Sequence, residues 1–123
     1  MNIKDVMTKK DDRGEMTSLF DMGTAGEIIY SSIRPAKIRG NHYHRFKREL
    51  FCVIEGEANF KMRNIETNEI RRYKISGNKL QIIEILPLWT HNVENIGTTD
   101  VKFIEWANMP YNPLDTDSFM EIA

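Results

Sequence analysis

The segment Glu49-Leu50-Phe51-Cys52-Val53-Ile54-Glu55-Gly56-Glu57-Ala58-Asn59-Phe60-Lys61-Met62-Arg63 reads as two β-strands joined at a single glycine. In its second half Ala58, Phe60 and Met62 alternate with Asn59, Lys61 and Arg63. Successive side chains of a strand point to opposite faces, so this strand has one buried and one wet face. The first half is apolar from Leu50 to Ile54 without alternation, the pattern of a strand covered on both sides. Turning Glu49, Phe51 and Val53 inward leaves Leu50, Cys52 and Ile54 outside. They would form an apolar patch that the N-terminal segment or a second subunit has to cover.

The β texture continues in both directions. Further short runs stand at 26–34, 37–44, 69–75, 79–86, 89–95 and 100–107. Arg34-Pro35, Ser76-Gly77-Asn78, Gly97-Thr98-Thr99 and residues 64–68 separate them. This even spacing is that of a sandwich or barrel. Residues 3–20 are polar and mixed, with Asp11-Asp12-Arg13-Gly14 as a turn. The tail, 109–123, is expected to lie across the sheet surface. The expectation is an all-β single domain, a jelly roll of two packed antiparallel sheets. It divides into an N-terminal arm (1–24), a barrel (25–108) and a C-terminal tail (109–123). An immunoglobulin-like sandwich is the alternative, but it has no use for the histidines described below.

A chain of 123 residues is the size of one domain. A net charge of -1 offers no electrostatic footprint for nucleic acid or an anionic membrane. No apolar run approaches the ~20 residues that span a bilayer. The first ten residues lack the apolar core of a secretory signal, so a cytoplasmic protein is expected. The single cysteine, Cys52, has no intramolecular disulfide partner and is expected to be a buried, inert thiol.

All three histidines belong to one pattern. His42 and His44 are two apart, so on a strand both imidazoles face one point. Glu49 follows His44 by five, an odd step that would face it away unless a turn within 45–48 resets the direction. His91 comes directly after Pro87-Leu88-Trp89-Thr90. Three imidazoles and a carboxylate suit Zn, Fe, Mn, Ni or Cu. The alternative is a metal-free barrel in which the same side chains are polar lining.

His42-x-His44-x4-Glu49-x6-Gly56, followed by Pro87, His91 and Asn95, resembles the two motifs of the cupins. The resemblance implies a double-stranded β-helix that binds a metal or a substrate inside the barrel. The implied ligands are His42, His44, Glu49 and His91, and the implied cofactor is a divalent metal, zinc foremost. The chain departs from the pattern in two places. Leu88 and Trp89 occupy a turn where the second motif has glycine, and Ala36 stands where the first often begins with glycine.

A narrower resemblance covers nearly the whole chain. Residues 12–16, 39–44, 63–70, 76–81, 90–95 and 106–108 are similar to the C-terminal cupin of bifunctional capsular-polysaccharide enzymes on the UDP-N-acetyl-L-fucosamine pathway. In those enzymes a reductase domain precedes the cupin, and the cupin is associated with C3 epimerisation and a bound zinc. The resemblance implies an epimerase or isomerase of a nucleotide-activated 4-keto-6-deoxy (amino)sugar in capsule or O-antigen synthesis. It also implies a homodimer with exchanged N-terminal strands. The dTDP-4-dehydrorhamnose 3,5-epimerases share the Arg-Gly-x-His-Tyr pattern, which would make His42 the base. Their late-strand tyrosine acid has no counterpart in 100–107.

Each remaining candidate has two readings. Arg39 and Arg13 would each pair with a diphosphate through a bidentate fork, or be a solvated strand-end charge and an interface anchor respectively. Trp89 would form a cavity rim and stack on substrate. Tyr30 is a candidate acid, or a packed tyrosine with an ordinary hydrogen bond. Glu105 alternates with Phe103 and Ala107 and so faces inward if they do, a candidate second acid/base. Lys47-Arg48 and Arg71-Arg72 read as solvated faces. If a metal takes the lone pair of His42, another group must be the base; without metal His42 is the base. Outside this class stand a non-enzymatic metal-binding cupin, an accessory subunit of a separate sugar reductase, and a metal-dependent dioxygenase.

Overall fold

The computed structural model describes residues 2–109, 114 and 116–123. Its strands are β1 (Lys9–Asp11), β2 (Gly14–Asp21), β3 (Glu27–Ile33), β4 (Ile38–His44), β5 (Glu49–Glu55) and β6 (Glu57–Asn64). They continue with β7 (Ile70–Ser76), β8 (Ile82–Ile85), β9 (Trp89–Asn95), β10 (Val101–Ala107) and β11 (Ser118–Met120). One 3-10 turn, Gly23–Ala25, precedes β3, and no α-helix occurs among the described residues. No helix there is long and apolar enough to cross a membrane.

Two antiparallel sheets face each other in the orders β1-β2-β3-β10-β5-β8 and β11-β4-β9-β6-β7. This is the jelly roll that the strand spacing suggested, and every expected strand forms. Residues 11–14 do make the turn between β1 and β2. The tail differs from expectation. Its described end does not lie across a sheet face but adds β11 to a sheet edge, pairing Ser118 with His44 and Met120 with His42. Most of the proline-containing stretch before it, 110–113 and 115, lies outside the described residues.

The core lies between the sheets and follows the alternation. Phe51, Val53 and Phe103 from the first sheet meet Ala58, Phe60, Met62 and Val93 from the second. Phe51 packs edge-on against Phe60 with ring centroids 5.6 Å apart, an arrangement aromatic quadrupoles favour. Leu50 and Cys52 are half-buried and Ile54 is exposed, all on the outer face of the first sheet. Cys52 is therefore a free thiol on an outer face rather than a core thiol. Gly56 turns the chain from one sheet to the other at φ 88°, and a Cβ there would meet the Asp100 carbonyl at 2.7 Å.

Candidate metal centre

Three devices aim the ligands inward. The first is a β-bulge in β4. Arg39 pairs with Val93 and His42 with His91, three residues against two, with the irregularity between Gly40 and His42. Gly40 and Asn41 take φ 103° and 62°, and a Cβ on Gly40 would lie 2.7 Å from the His91 carbonyl. The bulge lets Arg39 and His42, an odd step apart, share the inner face. The second device is the 45–48 loop, which resets the direction so that Glu49 returns inward, 3% exposed. Asp117 holds this loop, its carboxylate accepting the backbone N–H groups of Arg45, Phe46 and Lys47 at 2.8–3.2 Å. The third is the turn before β9, where Leu88 takes φ 70° and donates its N–H to the His44 carbonyl. Ala36, the other departure from glycine, takes φ 66°. The chain thus keeps left-handed backbone at both positions without glycine, at a cost of roughly 1–2 kcal/mol each.

The four expected ligands meet. The His42 ring lies 4.7 Å from His91 and 5.1 Å from His44, centroid to centroid. Ligand atoms of His42, Glu49 and His91 all lie within 4.8 Å of one another. His44 adjoins this trio through Glu49, its Nε2 standing 3.1 Å from Glu49 Oε1. His91 Nε2 is 3.4 Å from the same oxygen.

The ring orientations make this a candidate cation site. His44 Nδ1 stands 2.9 Å from the Asp117 carbonyl and His91 Nδ1 stands 3.2 Å from the Trp89 carbonyl. A carbonyl only accepts, so each Nδ1 carries a proton, and in the neutral ring each Nε2 presents a lone pair. Both lone pairs point toward Glu49 Oε1, a buried oxygen with no hydrogen-bond partner. Acceptors facing one another around an orphaned carboxylate oxygen suit a divalent cation. The residues present therefore fit the implied metal.

Glu105 completes the site. It lies inside the barrel on β10, diagonal to Glu49 in the register with β5, as its alternation with Phe103 and Ala107 requires. Loss of water, then the charge of Glu49 and their shared hydrogen bond, hold its carboxyl protonated well above the carboxylate range. For Glu49, burial pushes upward, but the Glu105 hydrogen bond, then a hydrogen bond from His44 and the positive charge of His91 and His44 when those rings are protonated, win and keep it ionised. Burial, then the neighbouring His91, lowers His42 to about 4. Burial likewise lowers His91, against the attraction of Glu49.

The other candidates are placed elsewhere. Tyr30 pairs with Thr17 and Ile104 on the outer face of the first sheet, so the structure does not bring it to the cluster. Arg39 and Arg13 meet at Asp11, not at the imidazoles. Arg13 makes a 2.6 Å ion pair with it, and Arg39 approaches it at 3.8 Å while donating Nε–H to the Ser32 carbonyl. Trp89 is at the rim of a cavity, as expected, with the Arg71 guanidinium 5.1 Å over its ring. Asn95 is structural. Its amide donates to the Ile33 and Thr99 carbonyls at 2.8 Å and ties the β9–β10 turn to β3. Sequence reasoning missed Asp117, because nothing local marks an aspartate whose partners lie some seventy residues away.

A two-sheet β-helix with imidazoles and a carboxylate converging inside it defines a cupin. Residues 9–119 match the family model of the polysaccharide biosynthesis C-terminal domain, and the chain belongs to that family. It is 36% identical over 115 residues to a Pseudomonas aeruginosa UDP-2-acetamido-2,6-beta-L-arabino-hexul-4-ose reductase, covering 94% of this chain and 31% of that protein. It superposes with a TM-score of 0.94 on the capsular polysaccharide assembling protein CapF from Staphylococcus aureus, at 31% identity, covering 98% of this chain and 33% of that one. The oxalate decarboxylase of Bacillus subtilis, a protein with Mn(II) centres, shares the fold with a TM-score of 0.73 at 18% identity, over 85% of this chain and 28% of that one. The chain thus spans about a third of the length of these relatives.

Proposed function

We propose that this cupin is an epimerase or isomerase of a nucleotide-activated 4-keto-6-deoxy (amino)sugar, exchanging a proton next to the ketone in cytoplasmic capsule or O-antigen synthesis. The observation that carries this reading is the Glu49–Glu105 pair, one carboxyl ionised and one protonated, set beside three imidazoles in a polysaccharide-family barrel. A proton on the carbon beside a ketone is acidic because the carbanion delocalises into an enolate. Its exchange needs a base, charge stabilisation at the keto oxygen and a proton donor.

Glu105 holds the proton and is the donor. His42 is neutral at pH 7 with a lone pair, and in the absence of an ion it is the base. His42, His44, Glu49 and His91 would together hold a divalent ion, zinc by resemblance, which when bound supplies Lewis-acid polarisation of a ketone oxygen. In that state the His42 lone pair is committed, and Glu105 is left as the titratable group that moves the proton.

Incubation with UDP- and dTDP-4-keto-6-deoxy sugars in deuterium oxide, read by NMR, tests the reading. Deuterium is expected at C3 or C5. No exchange at either carbon, with or without zinc, overturns it. The name and greater length of the reductase relative favour a second reading, an accessory cupin to a separate sugar reductase. Exchange that begins only on adding a purified 4-keto-sugar reductase would select it.

We further propose a homodimer. The first residues of the arm are little used within one chain, with Ile3 and Met7 exposed at 100% and 92%. Further along the same sheet, its outer face presents Leu50, Cys52 and Ile54 on β5. Exchange of arms about a two-fold axis would cover both.

A further inference from the structure

The inner face of the second sheet carries one straight cross-strand row. His42 on β4 pairs with His91 on β9, His91 with Met62 on β6, and Met62 with Arg71 on β7. Directly paired residues of antiparallel strands share a face. Arg71, read from sequence as part of a solvated face, therefore stands on the same concave surface as the imidazoles. Strands lie about 4.8 Å apart, so Arg71 is roughly 10 Å along the sheet from His91. Trp89, two residues before His91 on β9, shares this face as well. Its ring lies under the Arg71 guanidinium and steadies it.

Arg71 and Trp89 line a cavity of about 420 Å³ between the β7 and β8 edges, with Met62, Tyr73, Gln81 and Ile82. That volume is within the range of small-molecule pockets, about 300–1,000 Å³. Met62 is both a wall of this cavity and the neighbour of His91 in the row, so cavity and cluster adjoin.

We infer that this cavity is the nucleoside diphosphate subsite, with the diphosphate on the Arg71 fork and the nucleoside against the apolar wall beyond it. The inference rests on the nucleotide-sugar reading above. A sugar over the imidazoles leaves its diphosphate one ring further along the row, where Arg71 stands. Arg71 is at present paired with Glu69, at 2.9 Å, and hydrogen-bonded with Tyr73, and the side chains of the ion pair are about half exposed, 52% and 51%. An exposed pair of this kind is weak, and a diphosphate carrying more charge displaces it. Glu84, also on the cavity wall, is already paired with Arg48. Arg39 is the poorer diphosphate partner, its side chain 11% exposed and held by the Ser32 carbonyl and Asp11.

Calorimetric titration of the full chain with UDP and dTDP tests this, after EDTA treatment so that no ion can bind the diphosphate. Arg71→Ala is expected to weaken binding about tenfold or more, and Arg71→Lys to recover only part, since lysine lacks the bidentate fork. Arg72→Ala, facing the other side of β7, is expected to leave it unchanged. Thermal melting checks that each variant is folded. Equal nucleotide binding by wild type and Arg71→Ala overturns the subsite and leaves the nucleotide-sugar reading standing. Loss of binding in Arg39→Ala instead of Arg71→Ala also overturns it. Failure of both nucleotides and their 4-keto-6-deoxy sugars to bind wild type overturns the nucleotide-sugar reading and the subsite with it.

Discussion

Glu105 donates a hydrogen bond to Glu49 from the neighbouring strand inside the barrel, so two carboxyls share one proton beside three imidazoles. Like charges this close do not both ionise, and the imidazoles beside Glu49 leave Glu105 as the neutral one. The pair sets the chemistry of the site. In the proposed reaction Glu49 keeps its charge for an ion, and Glu105 keeps a proton to give.

Replacing Glu105 separates its roles. Glu105→Gln keeps a donor to Glu49 and is expected to fold and bind metal while losing deuterium exchange at the sugar. Glu105→Ala leaves the Glu49 carboxylate short of a partner and is expected to destabilise by about 1–3 kcal/mol in chemical denaturation. Full exchange activity in Glu105→Gln would remove Glu105 from the proton path.

One divalent ion per chain is expected, zinc foremost, by plasma mass spectrometry after metal loading. The double variant His42→Ala/His44→Ala is expected to bind none. Stoichiometric metal in that variant would show that the lone pairs around Glu49 are not the ligands.

The metal-free protein is expected to lose stability on acidification. His42 titrates near 4 when folded and near 6.5 when unfolded, so between these values the unfolded chain holds more protons. The His42 contribution to the melting temperature should therefore fall as pH drops from 6.5 to 4, and His42→Gln should remove it. Glu105 acts with the opposite sign. Its raised folded value gives stability that is complete below the unfolded value near 4.3 and is lost as pH rises through the folded one. Glu105→Gln should flatten the decline on the alkaline side. A slope between pH 6.5 and 4 that is the same in His42→Gln as in the wild type would contradict the His42 assignment.

Asp117 is expected to matter more than its place near the tail suggests. Asp117→Ala leaves three loop N–H groups without their carboxylate and is expected to cost about 1–3 kcal/mol. It also loosens the 45–48 loop between two ligands, and metal affinity should fall roughly 10- to 100-fold. Unchanged affinity in a folded variant would confine Asp117 to stability.

Light scattering at micromolar concentration should report twice the 14.4 kDa chain mass. A monomer would refute the dimer. A dimer unchanged by deletion of residues 1–20 would refute only the exchange of arms.

Much of this was legible without coordinates. The eight barrel strands follow from alternation and turn residues, both properties of short segments. The shared face of His42 and His44 follows from the two-residue period, and the reset of Glu49 from an odd step. The inward aim of Glu105 follows from its apolar neighbours at two-residue spacing. The hairpin of β1 and β2 escaped because its residues are largely exposed and show no apolar stripe. Tyr30 was misjudged because β3 reads Glu27-Ile28-Ile29-Tyr30-Ser31-Ser32-Ile33, which marks neither face as the core.

The sequence by itself determined the all-β class, the positions of the eight barrel strands and the candidate ligand set, because period and residue chemistry are local. Only the tertiary structure decided what depends on register and docking. It decided that a bulge lets Arg39 and His42 share a face, and that Asp117 clamps a loop some seventy residues away. It decided that Glu105 meets Glu49 from the neighbouring strand, and that Arg71 ends the row begun at His42. Those relations arise from strand pairing between distant segments, and no local pattern encodes which strands become neighbours.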